Sequence, residues 1–126
     1  MEEDGKKGPE GLALDMANRH GNLRRVSTDE AHLNILRHIT SSRAPAVINY
    51  GASWCSSCSQ ILPAFLRLSD HFPKLSFVYA DIDECPETTN NIRFAPSFHF
   101  YRDGEKVDEI IGAGEERLHD RLWLHS

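Results

Sequence analysis

The stretch from residue 44 to residue 63 constrains the fold of this chain more than any other. It reads Ala-Pro-Ala-Val-Ile-Asn-Tyr-Gly-Ala-Ser-Trp-Cys-Ser-Ser-Cys-Ser-Gln-Ile-Leu-Pro. Residues 46–50 predict a buried strand, and the Gly-Ala-Ser segment after them predicts a short turn. A helix is predicted to begin at the cysteines, so Cys55 and Cys58 lie about one helical turn apart and can form or release a disulfide. A strand, a turn and a Cys-x-x-Cys pair at a helix start together indicate a redox site.

The position of Cys55 at the start of this helix bears on its reactivity. The first amide N–H groups of a helix have no partner within the helix, and the macrodipole adds partial positive charge there. Both favour an anion. The anion would be the thiolate of Cys55, and the thiolate is the nucleophilic form of cysteine. The pattern therefore indicates thiol–disulfide exchange.

Length and composition exclude several other classes of protein. The chain has 126 residues, which is the size of one domain, and it is 40% hydrophobic with a net charge of −5. It has no basic stripe, which argues against a nucleic-acid partner, and no apolar run near the ~18 residues of a membrane span. Three cysteines without a recognisable export signal are typical of a reducing compartment. We expect a cytoplasmic monomer that needs no organic cofactor.

The remaining elements follow from periodicity and from capping and turn residues. We predict a flexible N-terminal extension over residues 1–21, with a brief helical turn near 12–16, and one domain over 22–126. Ser27 and Glu30 predict the start of a helix that ends near residue 41 and buries Leu33, Leu36 and Ile39. Further predicted elements are a strand over 22–26, a helix over 56–72 that contains Pro63, a strand over 75–82, a short helix over 86–91, a hairpin of 97–101 with 106–111, and a helix over 115–124. The order predicts an α/β protein with a central mixed β-sheet and helices on both faces.

The chain resembles the thioredoxin family from about residue 22 to the C-terminus, and its tail resembles the plant thioredoxin-like 3-3 group. The residues that carry the resemblance are Trp54-Cys55-Ser-Ser-Cys58, Pro63, Asp81-Ile-Asp83, Ala95-Pro96, Asp103-Gly104 and Gly112. The resemblance implies a thioredoxin fold and a protein-disulfide oxidoreductase. Its partners would be disulfide-containing target proteins and an electron donor, either thioredoxin reductase or the glutathione system.

The resemblance also implies roles for single residues. Cys55 would be the exposed nucleophile that forms a mixed disulfide with the target, and Cys58 would be the resolving cysteine. Pro96 would follow a cis peptide bond, and the backbone of Ala95 would pair with an extended target segment. The resemblance further implies that Trp54, Gly112 and Ala113 line a shallow apolar patch around the sulfur of Cys55.

Three positions depart from the family pattern. The usual Gly-Pro between the cysteines is Ser56-Ser57, the usual buried carboxylate is Asn49, and the lysine near that carboxylate is Tyr79. An amide cannot accept a proton as a carboxylate does, so Asn49 cannot act as the base that deprotonates the resolving thiol. We expect slow resolution of the mixed disulfide.

Two other functions fit the same motif. The chain could be a thioredoxin-fold module that binds peptides or proteins with weak reductase activity. Alternatively, the cysteine pair could belong to an iron–sulfur or metal scaffold, although zinc requires about four ligands and no second Cys/His pair is present. Cys85 is isolated in a predicted turn, and we expect it to be a small loop residue. We therefore predict no metal site.

Overall fold

The computed structural model describes residues 23–126. The predicted flexible extension over 1–21 and its helical turn lie outside the described residues. The described elements are β1 (Leu23–Val26), α1 (Asp29–Ser42), β2 (Ala46–Gly51), α2 (Ser56–His71), β3 (Ser76–Asp81), β4 (Ser97–Arg102), β5 (Glu105–Ile111) and α3 (Glu115–His125).

The five strands form one mixed sheet in the order β1-β3-β2-β4-β5. Strands β1, β3 and β2 are parallel, whereas β4 is antiparallel to β2 and to β5. The parallel strands are connected through helices and the antiparallel pair through a tight turn, as their geometry requires. The predicted mixed sheet is therefore confirmed, with β2, the strand that leads into the cysteines, at its centre.

Side chains from alternate positions of the strands pack against helices on opposite faces of the sheet. On one face, Val47 packs in a cluster with Phe65 of α2 and Leu118 of α3. On the other face, Ile48 packs in a second cluster with Ile39 of α1. The expectation of helices on both faces is thus confirmed, and α2 is held against the sheet by the larger, phenylalanine-rich cluster.

Two local predictions near the first helix are wrong. Thr28, not Ser27, is the N-cap of α1, and its hydroxyl accepts a hydrogen bond from the N–H of Ala31. His32 is buried while Leu33 is 40% exposed. His32 can be buried because its ring has two hydrogen-bond partners inside the protein. The other two predicted positions are confirmed, since Ile39 is buried and Leu36 packs against the same cluster.

The predicted short helix over 86–91 is also wrong, because this segment forms consecutive turns. A side chain of α1 holds the backbone of this segment. One oxygen of the Asp29 carboxylate accepts hydrogen bonds from the N–H of Glu87 (3.1 Å), and from the N–H (2.8 Å) and hydroxyl (2.7 Å) of Thr88. These bonds tie the segment to the first turn of α1 and satisfy two of its backbone amides.

The hairpin predicted from Asp103-Gly104 is confirmed, and it joins β4 to β5. Asp103 has a φ of 58° and Gly104 a φ of 85°. Positive φ at both central residues is the conformation of the two-residue hairpin turn for which Asp-Gly is preferred.

The C-terminal helix is tied to β5 by the carboxylate of Asp108. Arg121 Nη1 donates to both carboxylate oxygens at 2.7 Å, and His125 Nε2 donates to one of them at 2.8 Å.

Because Asp108→Asn removes the charge and one acceptor, we expect the free energy of unfolding to fall by about 1–3 kcal/mol. Urea denaturation would measure it. The matched control, Asp120→Asn at an exposed position of the same helix, should change stability little, and equal losses in both variants would contradict the anchor.

Candidate active site

Cys55 is the N-cap of α2 and brings its sulfur to the amides of the first turn. Its Sγ accepts a hydrogen bond from the N–H of Cys58 at 3.1 Å. The two cysteines form a disulfide pair with their Cα atoms 5.3 Å apart. The spacing that predicted a redox pair therefore places both sulfurs together at a helix N-terminus, where backbone N–H groups stabilise negative charge on sulfur.

The expectation that Cys55 is an exposed residue is wrong in degree. Cys55 is 7% exposed and Cys58 is 1% exposed. The pair packs in a small apolar cluster with Ala52, and against it lie Ile82 and Ala95. These neighbours cover most of the pair, and Cys55 is the more exposed of the two residues.

The loop before β4 lies against the reactive sulfur. The Ala95–Pro96 peptide bond is cis, and the carbonyl oxygen of Ala95 lies 3.6 Å from Cys55 Sγ. The N–H of Gly112 donates to the carbonyl oxygen of Pro96 at 2.9 Å. Gly112 has a φ of 103°, which favours glycine, and a Cβ there would meet no atom within 4 Å. The backbone of Gly112, directly after β5, thus holds the proline loop in place beside Cys55.

Trp54 is 68% exposed beside the cysteine pair. Its indole N–H donates to Asp83 Oδ2 at 2.7 Å. The N–H of Asp83 in turn donates to Asp81 Oδ1 at 2.8 Å, so the turn after β3 fixes the orientation of the tryptophan. This role of Asp83 was missed at the sequence level, although the Asp-Ile-Asp segment was recognised. Ala113, in contrast, packs against the large core cluster and is not part of the cysteine cluster.

Asn49 lies in β2 on the face covered by α2, since it alternates with Ile48 and shares its side with Val47. It is 1% exposed, and neither Oδ1 nor Nδ2 has a hydrogen-bond partner among the described residues. In the neighbouring strand Asn49 is paired with Tyr79. A Cβ on Gly51 would lie 2.8 Å from Tyr79 Oη, so the missing side chain at residue 51 makes room for the tyrosine ring.

Cys85 is a fully buried free thiol. Burial raises its pKa to about 11, with nearby carboxylates adding to the shift, so it is not a nucleophile at neutral pH. In the part of the chain that the structure describes, no group of three or more His, Cys, Asp or Glu side chains could hold a metal ion. Over the same residues, no helix combines the length and apolar character needed to cross a bilayer.

His99 of β4 is a buried residue that sequence reasoning missed, because it occupies an apolar strand between two phenylalanines. It is 5% exposed, and its ring lies 4.9 Å from that of Tyr50. Burial lowers its pKa to about 4; Lys106 and His32 add to the lowering, and Glu109 opposes it. The imidazole is therefore neutral in the folded protein at neutral pH.

This buried imidazole should make stability depend on pH. The unfolded chain binds the proton with an ordinary pKa near 6.5, so the folded state loses stability as the pH falls from about 6.5 to about 4, by at most roughly 3 kcal/mol. His99→Phe preserves a ring beside Tyr50 and should remove this part of the loss. Urea unfolding at pH 5 and pH 7 would test it, with His38→Gln at an exposed position as the control. An unchanged pH dependence in His99→Phe would contradict it.

The fold and the site together define a class: a dithiol–disulfide protein with its reactive pair at a helix N-terminus beside a cis-proline loop. The thioredoxin family model matches residues 26–123. Thioredoxin-like 3-3 of rice (Oryza sativa subsp. japonica) is 64% identical over 122 residues, which cover 96% of this chain and 95% of that protein. Thioredoxin-like 3-3 of Arabidopsis thaliana is 64% identical over 124 residues, covering 96% and 98%. The crystal structure of a poplar wild-type thioredoxin h is similar with a TM-score of 0.75 at 32% identity, over 82% of this chain and 96% of that one.

The chain belongs to the thioredoxin family. It is a thiol–disulfide oxidoreductase with the Cys55–Cys58 pair in the Cys-x-x-Cys spacing. Proteins of this family typically act on disulfide-containing targets with a reductase as electron donor. The family resemblance read from the sequence is thereby confirmed.

Proposed function

We propose that the protein reduces disulfides of target proteins by two successive exchanges. The Cys55 thiolate attacks one sulfur of the target disulfide, forms a mixed disulfide, and expels the other target sulfur as a thiolate. Cys58, once deprotonated, attacks Cys55 Sγ and expels the second target sulfur. The target gains two electrons and, in water, two protons, and the protein retains a Cys55–Cys58 disulfide. Cys55 is the nucleophile and Cys58 the resolving residue.

The observation that supports this assignment best is the position of the Cys55 sulfur. It caps the helix and accepts the N–H of Cys58 at 3.1 Å, whereas Cys58 is the more deeply buried of the pair. Hydrogen bonds to the charged form stabilise a thiolate. A sulfur that is both better stabilised and more accessible is the better first nucleophile.

The surroundings of Cys55 support docking of an extended target segment. The backbone of Ala95, next to the cis Pro96, lies beside the sulfur and offers its N–H and C=O to a peptide. Trp54 presents a large exposed aromatic surface on the other side, of the kind that marks recognition sites. Gly112, which supports the proline loop, completes the proposed docking surface, and Ala113 borders it where its side chain packs against the large core cluster.

We place the protein in the cytoplasm as a monomer, reduced there by thioredoxin reductase or by glutathione. The buried free thiol of Cys85 suits a reducing compartment. The proposed catalytic domain spans residues 22–126. The position of Asn49 and the Ser56-Ser57 pair favour slower turnover than in other family members, which leaves a peptide-binding module with weak reductase activity as the second candidate.

Turnover of a protein disulfide separates these two functions. The full chain is supplied with a disulfide-bonded protein substrate and, in parallel, with NADPH plus thioredoxin reductase, with glutathione, or with dithiothreitol. A reductase gives catalytic reduction of the substrate with at least one donor. Binding of the substrate with no reduction above the donor's own rate would favour the binding module.

A further inference from the structure

A small polar pocket lies against the proline loop and has no role in the exchange steps described above. Its volume is about 170 Å³. Phe94 and Ser97, which flank the Ala95–Pro96 bond, form one side of it, and Ile111 of β5 lies opposite Ser97. A target segment that reaches the Cys55 sulfur along this loop would therefore pass the mouth of the pocket.

The pocket contains a histidine that is almost fully buried. His99 lines it and is 5% exposed, yet its imidazole makes no hydrogen bond with any residue between 23 and 126. The nearest carboxylate oxygen, from Glu109, is 3.8 Å from Nε2, beyond hydrogen-bond length. Among residues 23–126, the ring nitrogens of His99 are not among the side-chain atoms that are fully enclosed without a hydrogen-bond partner, so the imidazole keeps access to the cavity and can donate a hydrogen bond to a ligand there.

The charges of the pocket favour an anion. Lys106 Nζ lies 2.6 Å from Glu109 Oε1, so these two residues neutralise each other. Arg93 also lines the pocket, and its guanidinium has no ion pair within the described part of the chain. Asn91 adds a neutral amide. The uncompensated charge is that of Arg93, whose planar group matches a carboxylate.

The volume limits what can enter. A pocket for a drug-sized molecule measures about 300–1,000 Å³, so about 170 Å³ suits one amino-acid side chain. The rim includes two exposed apolar side chains, Phe94 at 60% and Ile111 at 43%, which would pack against the stem of such a side chain. Glutamate combines an apolar stem with a negatively charged end, and aspartate does so with a shorter stem.

We propose that this pocket selects target proteins that carry a glutamate or aspartate close in sequence to the attacked cysteine. Arg93 pairs with the carboxylate and His99 donates to it from the pocket wall. The proposal rests on the disulfide exchange proposed above and adds a substrate preference to it.

A peptide panel tests the preference. The parent peptide contains one activated disulfide at a cysteine and glutamine at each of the three positions before and after it; single glutamates or lysines then replace each glutamine. Reduction rates (kcat/KM) are measured for the wild type, for Arg93→Gln, and for Arg102→Gln. Arg102 is an exposed arginine of β4 outside the pocket, so the control changes net charge equally.

We expect glutamate to exceed glutamine by about five- to tenfold at one position, and lysine to be the poorest there. Arg93→Gln should reduce this ratio to about one, while Arg102→Gln should retain it. A glutamate preference that survives Arg93→Gln, or no preference at any position, would overturn the pocket assignment and leave the exchange reaction intact. Failure of every peptide to be reduced would instead refute the proposed exchange, and the pocket assignment with it.

Discussion

The Cys58→Ser variant is expected to accumulate as a stable mixed disulfide with its target, while catalytic turnover falls to background. Cys55 retains its place at the helix N-terminus, so attack on a target disulfide still occurs. The second exchange has lost its nucleophile, so the target cannot be released. Mass spectrometry of the adduct and the rate of substrate reduction measure the two effects.

Two variants complete this test. Cys55→Ser should form no adduct and show no turnover, since it lacks the first nucleophile. Cys85→Ala removes a buried thiol outside the pair and should behave as the wild type in both assays. An adduct that forms through Cys58 when Cys55 is absent, at a rate near that of Cys58→Ser, would reverse the assigned roles.

The Asn49→Asp variant is expected to resolve the mixed disulfide faster, by about tenfold or more. A carboxylate at this buried position under α2 can accept the proton of the Cys58 thiol, and general-base catalysis contributes about 10²–10⁴-fold. The amide of the native chain cannot take this proton, and neither of its polar atoms has a hydrogen-bond partner among residues 23–126. The variant should also be less stable, because a buried carboxyl without a partner is costly.

Single-turnover measurements separate this effect from binding. The mixed disulfide of Cys55 with a small target is prepared, and the rate of target release is followed from pH 6 to pH 9 in wild type and variant. Asn34→Asp, at an exposed position of α1, is the matched control for the added charge. Equal release rates in Asn49→Asp and wild type across this range would contradict a base at this position.

The strands, the redox helix and the hairpin could be predicted because local signals agree with the tertiary fold there. The Cys-x-x-Cys spacing, the apolar run before it and the Asp-Gly turn each specify geometry through a few neighbouring residues. The resemblance to a family then added the roles of distant residues such as Ala95, which spacing alone could not place beside Cys55.

The errors occur where a distant contact replaces a local signal. The segment 86–91 has the composition of a short helix, but Asp29 binds its amides from α1 and holds it in turns. No local signal in the sequence indicates that His32 and His99 are buried. The burial of His32 depends on Tyr50, which is 18 residues away in the sequence. His99 is buried beside a cavity whose lining comes from separate parts of the chain.

The most direct test of the account is the pH dependence of Cys55 alkylation in the reduced protein. An ordinary free thiol has a pKa near 8.5 and is only about 0.3% thiolate at pH 6. If the helix N-terminus holds this sulfur as an anion, iodoacetamide should modify Cys55 at pH 6 at a substantial fraction of its rate at pH 9, with the modified residue identified by peptide mapping. A rate at pH 6 that is well under one hundredth of the rate at pH 9 would contradict the account.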